Sequence, residues 1–149
     1  MKGEAYFIDT NIIMYARGGD HPYKAACSHI LLRIADGAFQ RDFGVPLVDT
    51  EVFQEVIYRY GLESRWETAV AVCRDLETIG VKTLAIGKDE VRTMLRLAEK
   101  YGGCGVHPRD LVHAAVMLNN GVRKIVTADK HFDLIAEVER IDPLQLLSS

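Results

Sequence analysis

The chain of 149 residues is 48% hydrophobic and 26% charged, the makeup of an ordinary globular domain and not of a disordered tail. No apolar run approaches the roughly 18 residues that read as a membrane span. Its start, Met1-Lys2-Gly3-Glu4, leads into a short apolar stretch with no cleavage-site pattern, so an unprocessed cytoplasmic protein is expected. With 18 Lys plus Arg against 21 Asp plus Glu, the net charge of −3 argues against coating nucleic acid by bulk electrostatics and leaves room for a local basic rim.

Three cysteines, Cys27, Cys73 and Cys104, are odd in number and far apart, which fits a reducing compartment and neither a disulfide framework nor a CxxC pair. No linker, low-complexity tract or fixed-period repeat interrupts the sequence, so residues 1–149 read as one domain.

The run Ala5-Tyr6-Phe7-Ile8 is short, partly β-prone and ends abruptly at Asp9, as a buried parallel strand does. Further strands are predicted at 45–48, within the glycine-bounded 80–87, at 124–128 before Asp129, and, weakly, at 138–141. Between them the period turns helical. Tyr23, Ala26, Cys27, Ile30, Leu31 and Ile34 recur at three and four, after Pro22 in a position suited to a first helical turn. Val52, Phe53, Val56, Ile57 and Tyr60 repeat the pattern, as do Trp66 to Leu76 and Val91 to Tyr101, each giving a helix with one dry face. Residues 111–118 are apolar nearly all round except for His113, which predicts a helix buried in the fold. Strands alternating with helices imply an α/β fold: a parallel sheet of about five strands covered on both faces.

Asp9 and Asp129 each follow a predicted strand, and Asp110 opens the apolar helix just after Pro108. Residues at the carboxyl ends of parallel strands converge where strand order reverses, so these acids can share one crevice. Crowded carboxylates repel and take up protons unless a cation is present, and hard oxygen ligands select Mg²⁺ or Mn²⁺. Position alone leaves two roles open for Asp9 and Asp129, metal ligand or N-cap of the next helix. Asp110 is harder to assign to the surface, being the charge at the mouth of a buried helix. Glu55 lies about 130° from the centre of its helix's apolar stripe, on the side of Glu51, so periodicity alone places it in solvent.

Four segments together resemble the PIN-domain ribonucleases, most closely the small VapC-type toxins of type II toxin–antitoxin pairs. They are Phe7-Ile8-Asp9-Thr10-Asn11-Ile12-Ile13, Val52-Phe53-Gln54-Glu55-Val56, Arg109-Asp110-Leu111-Val112-His113-Ala114-Ala115 and Ile125-Val126-Thr127-Ala128-Asp129-Lys130-His131-Phe132, in matching order along nearly the whole chain. The resemblance implies a single PIN-like domain with a parallel five-stranded sheet between helices. It implies that Asp9, Glu55, Asp110 and Asp129 form an acidic quartet holding Mg²⁺ or Mn²⁺, supported by Thr127 and Asn11, with Asp133 as a fifth acid and Glu51 as the fallback for Glu55. The glycine-rich stretch 102–105 departs from the pattern expected before the third acid and reads as a loop flanking the site.

The chemistry so implied is hydrolysis of RNA phosphodiesters by metal-bound water, leaving a 5′-phosphate and a 3′-hydroxyl. A toxin of this class has an RNA substrate, an antitoxin protein seated in an apolar groove near the site, and a homodimeric state. Arg109 and Lys130 are the cations placed best for phosphate contact; most other Lys and Arg merely solubilise a face. His113 either braces Asp110 one turn away or is a hydrogen-bonded core histidine. Cys104, His107 and His113 match no compact zinc spacing, and Cys27 and Cys73 sit on apolar stripes as core residues. The alternatives are a stand-alone processing nuclease, a non-catalytic RNA-binding module on the same fold, and a receiver-type phosphoacceptor, for which Asp9-Thr10-Asn11 lacks the paired acids.

Overall fold

In the parallel sheet, β1 (Ala5–Ile8) lies in the centre with β2 (Val45–Asp49) and β3 (Lys82–Leu84) on one side and β4 (Lys124–Val126) and β5 (Glu139–Ile141) on the other, in the order β3-β2-β1-β4-β5. The computed structural model describes residues 4–147; the expectation for the start of the chain, at Met1 to Gly3, lies outside the described residues.

The predicted strands are all present: β1 keeps its bounds, β2 extends to Asp49, and the other three are shorter than predicted. The 80–87 run forms ladder pairs only at Lys82–Leu84, and the 124–128 run only to Val126. The central strand is buried at Tyr6, Phe7 and Ile8 in succession. Successive strand residues point to opposite faces, so both faces of the sheet are covered. The edge strands differ: Lys82, Thr83 and Glu139 are exposed, charged or polar side chains of the kind that keep sheet edges from pairing with other chains.

The predicted helices appear as α2 (Lys24–Ala35), α4 (Thr50–Gly61), α5 (Trp66–Thr78), α6 (Lys88–Tyr101) and α7 (Pro108–Asn119). To these the structure adds α1 (Thr10–Arg17), α3 (Ala38–Asp42), α8 (Pro143–Leu147) and a 3₁₀ turn at Lys130–Leu134. The helix α7 is buried as its composition predicts, with Leu111, Ala114, Ala115, Val116 and Met117 in the core. Phe7, Phe39 and Phe132 are fully enclosed. Each such ring contributes roughly 1.5–3 kcal/mol by its removal from water.

Strand order reverses between β1 and β4, since the chain builds outward through β2 and β3 and then crosses to the other side of β1. Ile8 pairs with Val126 across this junction, and the Asp9 N–H donates to the Val126 carbonyl at 3.1 Å. The register therefore sets Asp9 beside Thr127 at the carboxyl end of the sheet, where α/β folds hold their ligands.

Candidate active site

Asp9, Glu55, Asp110 and Asp129 all line one pocket of about 280 Å³, together with Thr10, Asn11, Tyr15, Tyr58, Arg59, Arg109 and Ala128. The backbone turns that place them leave no conflict between the two roles open to the aspartates. Asp9 is the N-cap of α1, its Oδ1 accepting from the Thr10 N–H at 2.7 Å. Asp129 caps the 3₁₀ turn through the His131 N–H at 2.9 Å. Asp110, in the first turn of α7, accepts from the His107 N–H at 3.1 Å. Each carboxylate thus sits at the positive end of a helical turn, which favours its charge.

Thr127 and Asn11 tie two of these acids together. The Thr127 hydroxyl donates to Asp9 Oδ2 at 2.7 Å and accepts from Asn11 Nδ2 at 2.9 Å and from the Asp129 N–H at 3.0 Å. Asn11 Nδ2 also approaches Asp9 Oδ2 at 3.3 Å. With its hydrogen fixed on Asp9, Thr127 holds the turn carrying Asp129 in register with the end of β1.

Glu55 is buried, contrary to its helical periodicity. The face of α4 that carries it meets α1 and α7 instead of water. Its Oε1 accepts from the Thr10 hydroxyl at 2.7 Å and lies 2.8 Å from His113 Nε2, while its Oε2 pairs with Arg109 Nε at 3.1 Å. An apolar stripe marks a face that packs on the core; it does not mark one buried by polar partners.

Of the two readings open to His113, the structure fits the hydrogen-bonded core histidine and not the brace for Asp110. Its ring, 1% exposed, is clamped between α4 and the end of β2, with Nδ1 at 2.7 Å from Asp49 Oδ2 and Nε2 at 2.8 Å from Glu55 Oε1. Both partners are carboxylates, which accept and do not donate when ionised, so both ring nitrogens carry protons and the ring is a buried cation. Burial opposes this charge, yet the hydrogen bonds and charges of Asp49, Glu55 and Asp9 outweigh it and hold the imidazolium well above the usual histidine range.

Asp49 is the residue that sequence reasoning missed. It ends β2 as Asp9 ends β1, caps α4 through the Val52 N–H at 3.2 Å and is 0% exposed. The signal was available: Val45-Pro46-Leu47-Val48 is a second apolar strand stopped by an aspartate.

The electrostatics follow from this packing. Burial pushes the Asp9 carboxyl up to about 6, against the pull of His113 and the Thr127 hydrogen bond, and raises Asp110 as well, with Asp129 adding like charge. Burial also works to raise Glu55, but His113, Thr10 and Arg109 prevail and keep it below the usual carboxylate range. The pocket thus concentrates acids that share too little positive charge. An all-oxygen donor set of this kind suits a hard divalent cation such as Mg²⁺ or Mn²⁺.

The other expected participants are elsewhere. Asp133 lies outside the pocket, exposed and paired with Arg140 at 2.9 Å, and Glu51 faces an adjoining hollow with Gln54, His107 and Val112. Arg109 lines the pocket, whereas Lys130 does not.

The PIN-domain family matches residues 6–138. This chain belongs to that family. Among curated relatives, ribonuclease VapC13 of Mycobacterium tuberculosis is 27% identical over 135 residues, covering 90% of this chain and 97% of its own. Two solved structures share the fold. One is VapC20 of Mycobacterium tuberculosis, described as a sarcin-ricin loop cleaving toxin (TM-score 0.71, 13% identity, 88% of this chain and 95% of that one). The other is VapBC-5 of the same organism, a member of the VapBC family of toxin-antitoxin systems (TM-score 0.58, 21% identity, 93% and 98%).

Proposed function

We propose that this PIN-domain protein is a Mg²⁺- or Mn²⁺-dependent endoribonuclease acting as the toxin of a type II toxin–antitoxin pair. The observation that carries the reading is the meeting of Asp9, Glu55, Asp110 and Asp129 in one pocket at the switch point of the sheet. Names of relatives that span nearly the whole chain support the substrate class.

Asp9, Asp110 and Asp129 would hold the metal directly, with Glu55 binding a second ion or orienting the attacking water. The ion supplies an acidified bound water and a charge that screens the phosphate. The chain's own residues do the rest. Thr127 and Asn11 fix the Asp9 carboxylate, so its oxygens are set before substrate arrives. The His113 cation and Thr10 hold Glu55 ionised and able to accept a proton or a metal bond. Arg109, spanning from Glu55 to the open side of the pocket, and Arg59 offset the repulsion that an acidic site exerts on a polyanion.

The partner expected for a toxin is a protein antitoxin laid on apolar surface near the site. The α4–α5 region presents Ile57, Tyr58, Leu62, Trp66 and Val70 to solvent, with Tyr58 also lining the pocket. A concentration of exposed large apolar side chains supports such an interface, or one with a second copy of this chain. No helix among the described residues is long and apolar enough to cross a membrane.

The test is cleavage of structured and single-stranded RNAs by the purified chain with Mg²⁺, with Mn²⁺ and with EDTA. Metal-dependent cleavage lost in Asp110→Asn supports the reading; cleavage that persists in EDTA contradicts it.

A further inference from the structure

A second cluster of donors lies at the rim of the acid pocket. His107 ends the loop before α7, and Asp129 and His131 flank the start of the 3₁₀ turn after β4. One ligand atom from each of the three lies within 4.8 Å of the others. His131 Nδ1 is 2.6 Å from Asp129 Oδ1, the two imidazole rings meet edge to face at 5.1 Å, and His107 Nδ1 is 3.6 Å from Asp110 Oδ2. We propose that His107, His131 and Asp129 form a site for a late first-row divalent ion of the Zn²⁺ or Co²⁺ type, chemically distinct from the all-oxygen set beside it.

The donor chemistry decides the ion. Two imidazoles and one carboxylate favour Zn²⁺ and its neighbours, whereas carboxylate oxygens alone suit Mg²⁺ and Mn²⁺. Zinc takes imidazole nitrogen and carboxylate oxygen at about 2.0–2.2 Å, which sets donors on a tetrahedral ion roughly 3.3 Å apart. The His131–Asp129 separation of 2.6 Å lies below that figure and all three ligand atoms lie within 4.8 Å of one another, so side-chain rotations bring the set to an ion. Such rotations are open to both histidines, whose side chains are about half exposed, at 53% for His107 and 48% for His131. The Asp129 backbone N–H is held by the Thr127 hydroxyl, and its Oδ1 already faces His131, accepting from the His131 N–H.

Three protein ligands leave at least one coordination position open, and Asp129 is common to this set and to the acid pocket it lines. The two sites then share a ligand: an ion at the rim draws the Asp129 carboxylate toward His131 and away from the acids across the pocket. The inference rests on the acid-pocket reading only for what that sharing does to activity; binding itself stands apart from any cleavage.

The experiment is titration of the metal-stripped chain with Co²⁺, followed by its visible absorption bands, and with Zn²⁺ by calorimetry. The variants are His107→Ala, His131→Ala and Asp9→Asn. Both histidines are exposed and outside the core, so their variants fold. The expected result is a tightest class of one Zn²⁺ per chain in the parent, at least a tenfold loss of that affinity in each histidine variant with loss of the Co²⁺ bands, and that affinity within threefold of the parent in Asp9→Asn, whatever weaker Zn²⁺ the acid pocket takes. No Zn²⁺ binding in the parent, unchanged affinity in either histidine variant, or an equal loss in Asp9→Asn overturns the proposal. Zn²⁺ bound at the rim of a chain that cleaves no RNA would remove the nuclease reading and leave this site standing.

Discussion

Asp49 and His113 form a buried ion pair at 2.7 Å beneath the acid pocket, joining the end of β2 to the middle of α7. Removing one partner of such a pair leaves an uncompensated charge in the interior, at a cost of about 3–5 kcal/mol. His113→Ala and Asp49→Ala are therefore each expected to lose stability of that order in urea unfolding, and the double variant less than their sum. The sign of the pH dependence follows from His113, whose folded value is raised. Its stabilisation is complete below about 6.5, the unfolded value, and is lost only as pH rises through the higher folded value.

Asp9 has the same sign over a lower pH range. Its carboxyl, pushed up by burial to about 6, holds a proton in the folded state that the unfolded chain has released, so stability falls as pH climbs from about 4 to about 6. The full cost of ionising it is on the order of 3 kcal/mol. In EDTA, the stability of Asp9→Asn relative to the parent is expected to improve across that interval and level off above it. A difference between the two proteins that does not change with pH would contradict the burial argument.

Thr127→Val removes the hydroxyl that donates to Asp9 and receives the Asp129 N–H. Groups that orient metal ligands change affinity by roughly 10–100-fold when lost. Mn²⁺ affinity is expected to fall within that range, while Thr127→Ser retains parent affinity. Parent-like affinity in Thr127→Val, with a loss confined to Thr127→Ser, would mean that the methyl packing matters and the hydroxyl does not.

Asp133 and Glu51 provide the contrast. Asp133 is paired with Arg140 outside the pocket, and such exposed pairs contribute about 0–1 kcal/mol. Asp133→Ala and Glu51→Ala are expected to cleave RNA within about threefold of the parent, where Glu55→Gln loses a hundredfold or more. A large loss in Asp133→Ala would return it to the site.

The order of elements was legible because each carries a simple period. Two-sided burial makes β1 and β2 plain apolar runs, and the dry faces of α4 and α6 recur at three and four residues. Asp9, Asp110 and Asp129 were legible from the same periods, since each stands where an apolar element begins or ends. Glu55 was legible only by resemblance, because its burial depends on Thr10, Arg109 and His113, which are distant in sequence. The Asp49–His113 pair spans 64 positions and has no local signature. His107 and His131 are likewise brought together only when the loop before α7 meets the turn after β4. The short helices α3 and α8 have too few residues to show a period, so composition could not announce them.

The central claim is that the four acids of the pocket hold one catalytic metal centre. It is tested most directly by measuring Mn²⁺ binding and RNA cleavage on the same preparations of the parent and of Asp9→Asn, Glu55→Gln, Asp110→Asn and Asp129→Asn. The parent is expected to bind Mn²⁺ and to cleave RNA only with metal present, and the three aspartate variants to lose both together. Parent-like binding and cleavage in Asp9→Asn or Asp110→Asn, with folding intact, would contradict it.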